Sequence, residues 1–216
     1  MADLTFYFDS TGTPTHDCTY SSTWDNTSQA VKHILNTTRG TSAIAVATGY
    51  RTNGQHLGCA AMNVSAAIAT GRTFTPADTF DFVMNVQDHN VVGSSTLHLI
   101  IRVFNAAGDT VVGTLYDGII NATVWSGAIR SRHNDSVAVQ DTMVLPDNGH
   151  IVVEVGMHDP YAATFGNRVY IGEGAEGNSA LPLADDDTHD EYYPWLAFTY
   201  GAPAAKTNVV YMIFES

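Results

Sequence analysis

Period two dominates the pattern of apolar and polar positions. In DTFDFVMNV (78–86), Phe80, Phe82, Met84 and Val86 point one way, while Asp81, Val83 and Asn85 point the other. In TLHLIIRVF (96–104), Leu97, Leu99, Ile101 and Val103 share a face opposite Thr96, His98 and Arg102. In HIVVEVGM (150–157), Ile151, Val153, Val155 and Met157 share a face, which puts Glu154 on the other with Val152 and Gly156. Such alternation predicts strands with one side in a core and one wetter side. Turn chemistry separates the runs. Asn-Ala-Ala-Gly-Asp (105–109) joins two strand patterns as a short hairpin loop, and PDNGH (146–150) is a strong turn signal.

Read this way, the chain predicts strands over roughly 4–8, 43–50, 57–64, 78–86, 96–104, 110–116, 119–125, 137–144, 150–158, 168–172, 194–200 and 208–214. Many short strands at this spacing predict an all-β fold, an antiparallel β-sandwich of jelly-roll-like form. Residues 28–35, SQAVKHIL, fit a short helix or an edge strand equally well. No alternation of strand with helix supports a parallel α/β sheet. Residues 9–30 and 173–193 are polar and turn-rich. The expected organisation is an N-terminal β-rich part or arm over 1–75, a core sandwich over 76–200, and a C-terminal arm over 201–216. In the arm, the bridge GAPAAKTN leads to an apolar run whose Val209, Val210, Tyr211, Met212, Ile213 and Phe214 are the expected subunit contact, paired with a neighbour's sheet edge.

Composition narrows the function classes. The chain has 216 residues, enough for one sizeable core, and 22 acidic against 9 basic residues, a net charge of −13. Phosphate contacts need clustered cations, so nucleic acid is not an expected partner, and neither is an anionic membrane. No run of about 18 apolar residues is present, and the first residues lack a basic, then apolar, signal pattern. The expected place of synthesis is therefore a cytoplasm, where the Asn-X-Ser/Thr sites at Asn26, Asn36, Asn63, Asn121 and Asn134 stay unglycosylated. Cys18 and Cys59 are expected as two free buried thiols, with a single disulfide as the alternative.

Candidate chemistry is thin. GxSxG, HExxH and P-loop patterns are absent from the sequence. His150 and His158 flank the Glu154 strand on one face, but they sit about 26 Å apart at ~3.3 Å per residue and cannot share a metal within one chain. Glu154 therefore reads as a face residue satisfied by a cross-strand partner or a subunit contact, and His98 as a solvent-facing or hydrogen-bonded side chain. The run ADDDTHDE offers Asp185, Asp186, Asp187, Asp190 and Glu191 as hard-oxygen calcium ligands, without the EF-hand spacing. Otherwise no metal and no cofactor is expected. Trp24 and Trp125 are the aromatic platforms for a glycan, with Tyr161, Tyr192, Tyr193 and Trp195 as further aromatics.

Three stretches carry a resemblance: LHLIIRVFNAAGDTVVGTLYDG, LPDNGHIVVEVGMHDP and YYPWLAFTYG. Their order and spacing over about 80–200 resemble tailed-bacteriophage virion proteins of jelly-roll type, the head decoration and tail components. The resemblance implies no catalytic residue. It implies a non-enzymatic structural protein of a phage virion, most simply a capsid decoration protein bound to the major capsid protein shell. It also implies a homo-oligomer, with a trimer favoured. The alternative is a tail, baseplate or fibre-associated β-sandwich module that binds a glycan.

Overall fold

A computed structural model describes residues 4–39, 45–51, 55–69, 71–88, 95–122, 130–159, 165–172 and 194–199. The strands are β1 (Leu4–Asp9), β2 (Val31–Asn36), β3 (Ala45–Arg51), β4 (Leu57–Ser65), β5 (Arg72–Phe74), β6 (Thr79–Asp88), β7 (Thr96–Phe104), β8 (Val111–Asn121), β9 (Arg130–Ala138), β10 (Met143–Leu145), β11 (His150–His158), β12 (Phe165–Ile171) and β13 (Trp195–Thr199). The described residues contain no helix. The fold is all-β and of the β-sandwich, jelly-roll-like class.

An eleven-stranded sheet runs β3-β12-β6-β13-β1-β2-β4-β11-β7-β8, with β9 also on β6, and β5 and β10 form a two-stranded sheet. Strands from residues 1–75 and from residues 76–200 interleave in it, since β1 lies between β13 and β2. All pairs are antiparallel except β2 with β4. That pair is parallel because β3 carries the chain across the sheet between them, so the sheet is mixed where pure antiparallel pairing was expected. The ambiguous 28–35 segment resolves as strand: Leu35 enters the core, Val31 packs against it, and Ile34 faces the other way.

The sheet curls so that its halves face each other. Phe6, Phe8, Phe80, Phe82 and Phe198 from one half share a core with Leu99, Ile101, Val103, Ile151, Val153 and Val155 from the other. Phe80 meets Tyr116 of β8 edge-on across this core, with centroids 5.2 Å apart. The core is thus built from the predicted apolar faces. Two predicted strands, 110–116 and 119–125, are one continuous strand, β8. Register shifts between Leu97/His98, Ile101/Arg102 and Val103/Phe104 of β7 let β8 accommodate extra residues without breaking. The predicted strand 137–144 is instead the end of β9 followed by β10, with Val139 and Gln140 bonded to Asp78 and Leu115 between them.

The wetter faces differ most from expectation. β4, β7 and β11 are buried on both sides. The second side is sealed by the polar segment 15–30, which crosses the outer face and contributes Cys18, Tyr20 and Trp24 to two small apolar clusters there. The apolar run 208–214 lies outside the described residues.

Candidate functional site

The outer face of β4–β11–β7–β8 brings together Glu154, Arg102, His98 and Asp117. Glu154 is at its centre, fully buried. β11 pairs it with Ile100, so Arg102, two residues along β7, stands diagonally across from it on the same face. Arg102 donates to Glu154 Oε1 and also to the carbonyl of Thr19. Glu154 Oε2 accepts the Ser21 backbone N–H at 2.9 Å and the Trp24 indole N–H at 2.7 Å. The expected cross-strand partner of Glu154 is therefore Arg102. The other two partners come from a segment 130 residues away, which period-two reasoning does not reach.

This network fastens the covering segment. Burying the Trp24 ring, an area on the order of 200 Å² at about 25 cal/mol per Å², favours the closed arrangement by about 5 kcal/mol before ordering costs. The carboxylate under it orients the ring through the indole N–H. Gly156 makes the fit sterically feasible: a Cβ there would lie 2.2 Å from the Gly58 carbonyl oxygen and 2.8 Å from the Trp24 ring. Burial raises the pKa of Glu154 above its ordinary value, and Arg102, Ser21, Trp24 and the Arg102 hydrogen bond oppose that rise. Cys59, packed beside Trp24, is pushed well above 9.0, chiefly by burial and then by Glu154.

A second polar pair flanks the first. His98 meets Asp117 of β8 at 2.9 Å, and Asp117 also accepts the Thr23 hydroxyl at 2.7 Å. The His98 ring packs edge-on against Trp24, 5.2 Å between centroids. His98 is thus hydrogen-bonded, the second of its two expected readings, and it is 6% exposed. Burial lowers its pKa despite Asp117. Lys32 anchors the start of the segment by donating to the Cys18 carbonyl at 2.7 Å.

Trp24 corrects an expectation. It is 6% exposed and its polar atom is used by Glu154, so it offers no platform to a glycan. A tryptophan in a polar, turn-rich stretch reads as exposed until the stretch is seen to fold over a sheet. Trp195 is also buried, at 5% exposure. Trp125, Tyr161, Tyr192, Tyr193, the calcium candidates Asp185, Asp186, Asp187, Asp190 and Glu191, and the contact residues Val209 to Phe214 lie outside the described residues. Cys18 and Cys59 are free and buried.

The two histidines of β11 part company. His158, at one end, is partly exposed. His150, at the other, is fully buried and has His16 stacked on it, with centroids 4.0 Å apart. Next to them a cavity of about 260 Å³ opens between residues 13–16 and β2–β4, lined by His16, Asn36 and Ser65 among others. Among the described residues, no three His, Cys, Asp or Glu side chains gather as ligands for one ion.

The fold and this sealed face define a β-sandwich with an internal charged lock. No protein-family model matches the chain, and no curated protein matches it in sequence. Among solved structures, the fold is similar to a CocE/NonD family hydrolase from Staphylococcus aureus, with a TM-score of 0.53 at 10% identity over 91% of this chain and 36% of that one. A second crystal structure of a CocE/NonD family hydrolase from that organism aligns with a TM-score of 0.34 at 9% identity, over 93% of this chain and 34% of that one. The VP2 subviral particle of infectious bursal disease virus aligns with a TM-score of 0.21 at 14% identity, over 76% of this chain and 42% of that one. The chain spans about a third of the hydrolase's length. At such identities the likeness concerns the fold, and the two lower scores add nothing to it.

Proposed function

We propose that the chain is a non-enzymatic structural protein of a phage virion, a decoration protein that oligomerises and binds the major capsid protein shell. The observation that carries this reading is where the exposed apolar side chains stand. Among the described residues, the large exposed ones are Val46 on β3, Val111, Val112 and Ile119 on β8, and Val144 on β10. β3 and β8 end the long sheet, and β10 belongs to the small one. Sheet edges with apolar side chains are where further chains add. The second support is chemical. Glu154, His98 and Arg102 are consumed in internal bonds beneath the chain's own cover. The third is the resemblance, whose stretches form the β7–β8 hairpin, β11 beside it, and β13.

The test is assembly. The full chain should form a discrete oligomer by light scattering and co-sediment with purified phage shells, and Val111→Lys with Val112→Lys should weaken both. A monomer that ignores shells, or a chain that turns over substrates in an ester and glycoside screen, overturns the proposal.

A further inference from the structure

The two ends of the long sheet are finished differently. At the β8 end, outward backbone groups are already occupied. The Gln140 N–H donates to the Leu115 carbonyl at 2.8 Å. The Gln140 side chain then pairs with Asp117 as a strand would: its Oε1 accepts the Asp117 N–H at 2.9 Å, and its amide donates to the Asp117 carbonyl at 3.2 Å. Further along, the Asn134 amide donates to the Ile120 carbonyl. These caps guard β8 from Leu115 to Ile120. At the other end, β3 pairs with β12 over all seven of its residues, Ala45 to Arg51, without a register shift. Among the described residues, nothing pairs with its other edge. In an edge strand the N–H and C=O groups of alternate residues turn outward, and a further strand is what satisfies them.

The sequence gives this edge none of the usual protection. β3 has no lysine, proline, aspartate or glutamate, and Val46 on it is 49% exposed. Charge points to the occupant. Residues 26–77 hold no Asp or Glu, but do hold Lys32, Arg39, Arg51 and Arg72, in a chain of net charge −13. Two copies of so acidic a chain repel each other at most approaches. Here neither copy brings an acid, on β3 or on β12 beside it. An antiparallel pair of β3 strands centred on Thr48 opposes all seven residues, with Val46 opposite Tyr50 of the second copy and Ala47 opposite its Gly49. It also sets the two Arg51 at opposite ends, about 20 Å apart at ~3.4 Å per residue, beyond the screening length of about 8 Å.

We propose that two copies of this chain join β3 to β3, antiparallel about a two-fold axis, so that their long sheets run on as one. Such a contact closes on itself, and closed two-fold dimers are the commonest soluble oligomers. The dimer rests on the oligomer of the proposed function and gives it a first interface. The edge with Val111 and Val112, at the other end of the strand order, stays free for the shell and for further copies.

The test is a crosslink in the full chain. Residues opposed across an antiparallel pair lie about 4.5–5.5 Å apart at Cα, within the span of a disulfide. Thr48→Cys under mild oxidation should therefore give a covalent dimer on a non-reducing gel. Wild type should give none, because Cys18 and Cys59 are buried. By light scattering, wild type should read twice the 23.2 kDa monomer or a multiple of that dimer. Adding Val46→Lys, at a half-exposed position where a lysine meets water, should remove most of the crosslink. Adding Val111→Lys with Val112→Lys should keep it. A dimer that ignores shells counts against the virion reading and leaves the β3 pair standing; a monomer that binds shells does the reverse. No covalent dimer from Thr48→Cys, a crosslink undiminished by Val46→Lys, or one abolished by Val111→Lys with Val112→Lys overturns the β3 pair.

Discussion

Replacing Glu154 by leucine should be among the most damaging single changes in this protein. The substitution removes the acceptor for three donors: Ser21 N–H, the Trp24 indole and Arg102. It leaves the Arg102 guanidinium 5% exposed, with the Thr19 carbonyl still accepting from it but no counter-charge from Glu154. Breaking a buried ion pair from one side costs about 3–5 kcal/mol. Small domains have about 5–15 kcal/mol in total, so the loss is a large fraction of it. In urea unfolding, with a slope of about 2–3 kcal/mol/M, the midpoint should fall by about 1–2 M. The double variant Glu154→Leu with Arg102→Met removes both charges. Because an apolar replacement of a whole buried pair is often neutral or stabilising, it should recover most of that loss. Trp24→Phe keeps most of the ring's packing and loses one hydrogen bond to a charged group, about 1.5–3 kcal/mol. If Glu154→Leu unfolds within about 1 kcal/mol of wild type, the carboxylate does not lock the segment. If the double variant is no better than the single one, uncompensated charge is not the cause of the loss.

Two further outcomes follow from the same face. Gly156→Ala should destabilise by about 1–3 kcal/mol, because the new methyl meets the Gly58 carbonyl and the Cys59 backbone as well as Trp24; a thermal melt equal to wild type would refute that packing. Acidification should weaken the fold below about pH 6.5, since burial lowers the pKa of His98 and His33 from 6.5 and the unfolded chain then binds more protons. The raised pKa of Glu154 acts in the opposite sense, its contribution shrinking as pH rises from its ordinary 4.5 towards the folded value. Melting temperatures from pH 8 to 5 should therefore fall, less steeply in His98→Gln, and an identical profile in that variant would refute the assignment.

The strand pattern was legible in the chain because a pleated strand sends alternate side chains to opposite faces, whatever it later packs against. Phe80, Phe82, Leu99, Ile101, Val153 and Val155 occupy the core for that reason alone, and the all-β class follows from them. Alternation names two faces but not what covers each. It marked Glu154, His98 and Arg102 as the wetter side, and a carboxylate, an imidazole and a guanidinium are consistent with water. Only the tertiary structure brings Ser21 and Trp24 back over that face and turns three surface-like residues into a buried lock. The same holds for the histidines: local spacing excludes His150 with His158, while the pairing of His150 with His16 arises from the path of residues 13–16 across the sheet. Periodicity is a property of neighbours along the chain, so it determined the strands; contacts across more than a hundred residues depend on how the sheet curls, and the fold alone decided those.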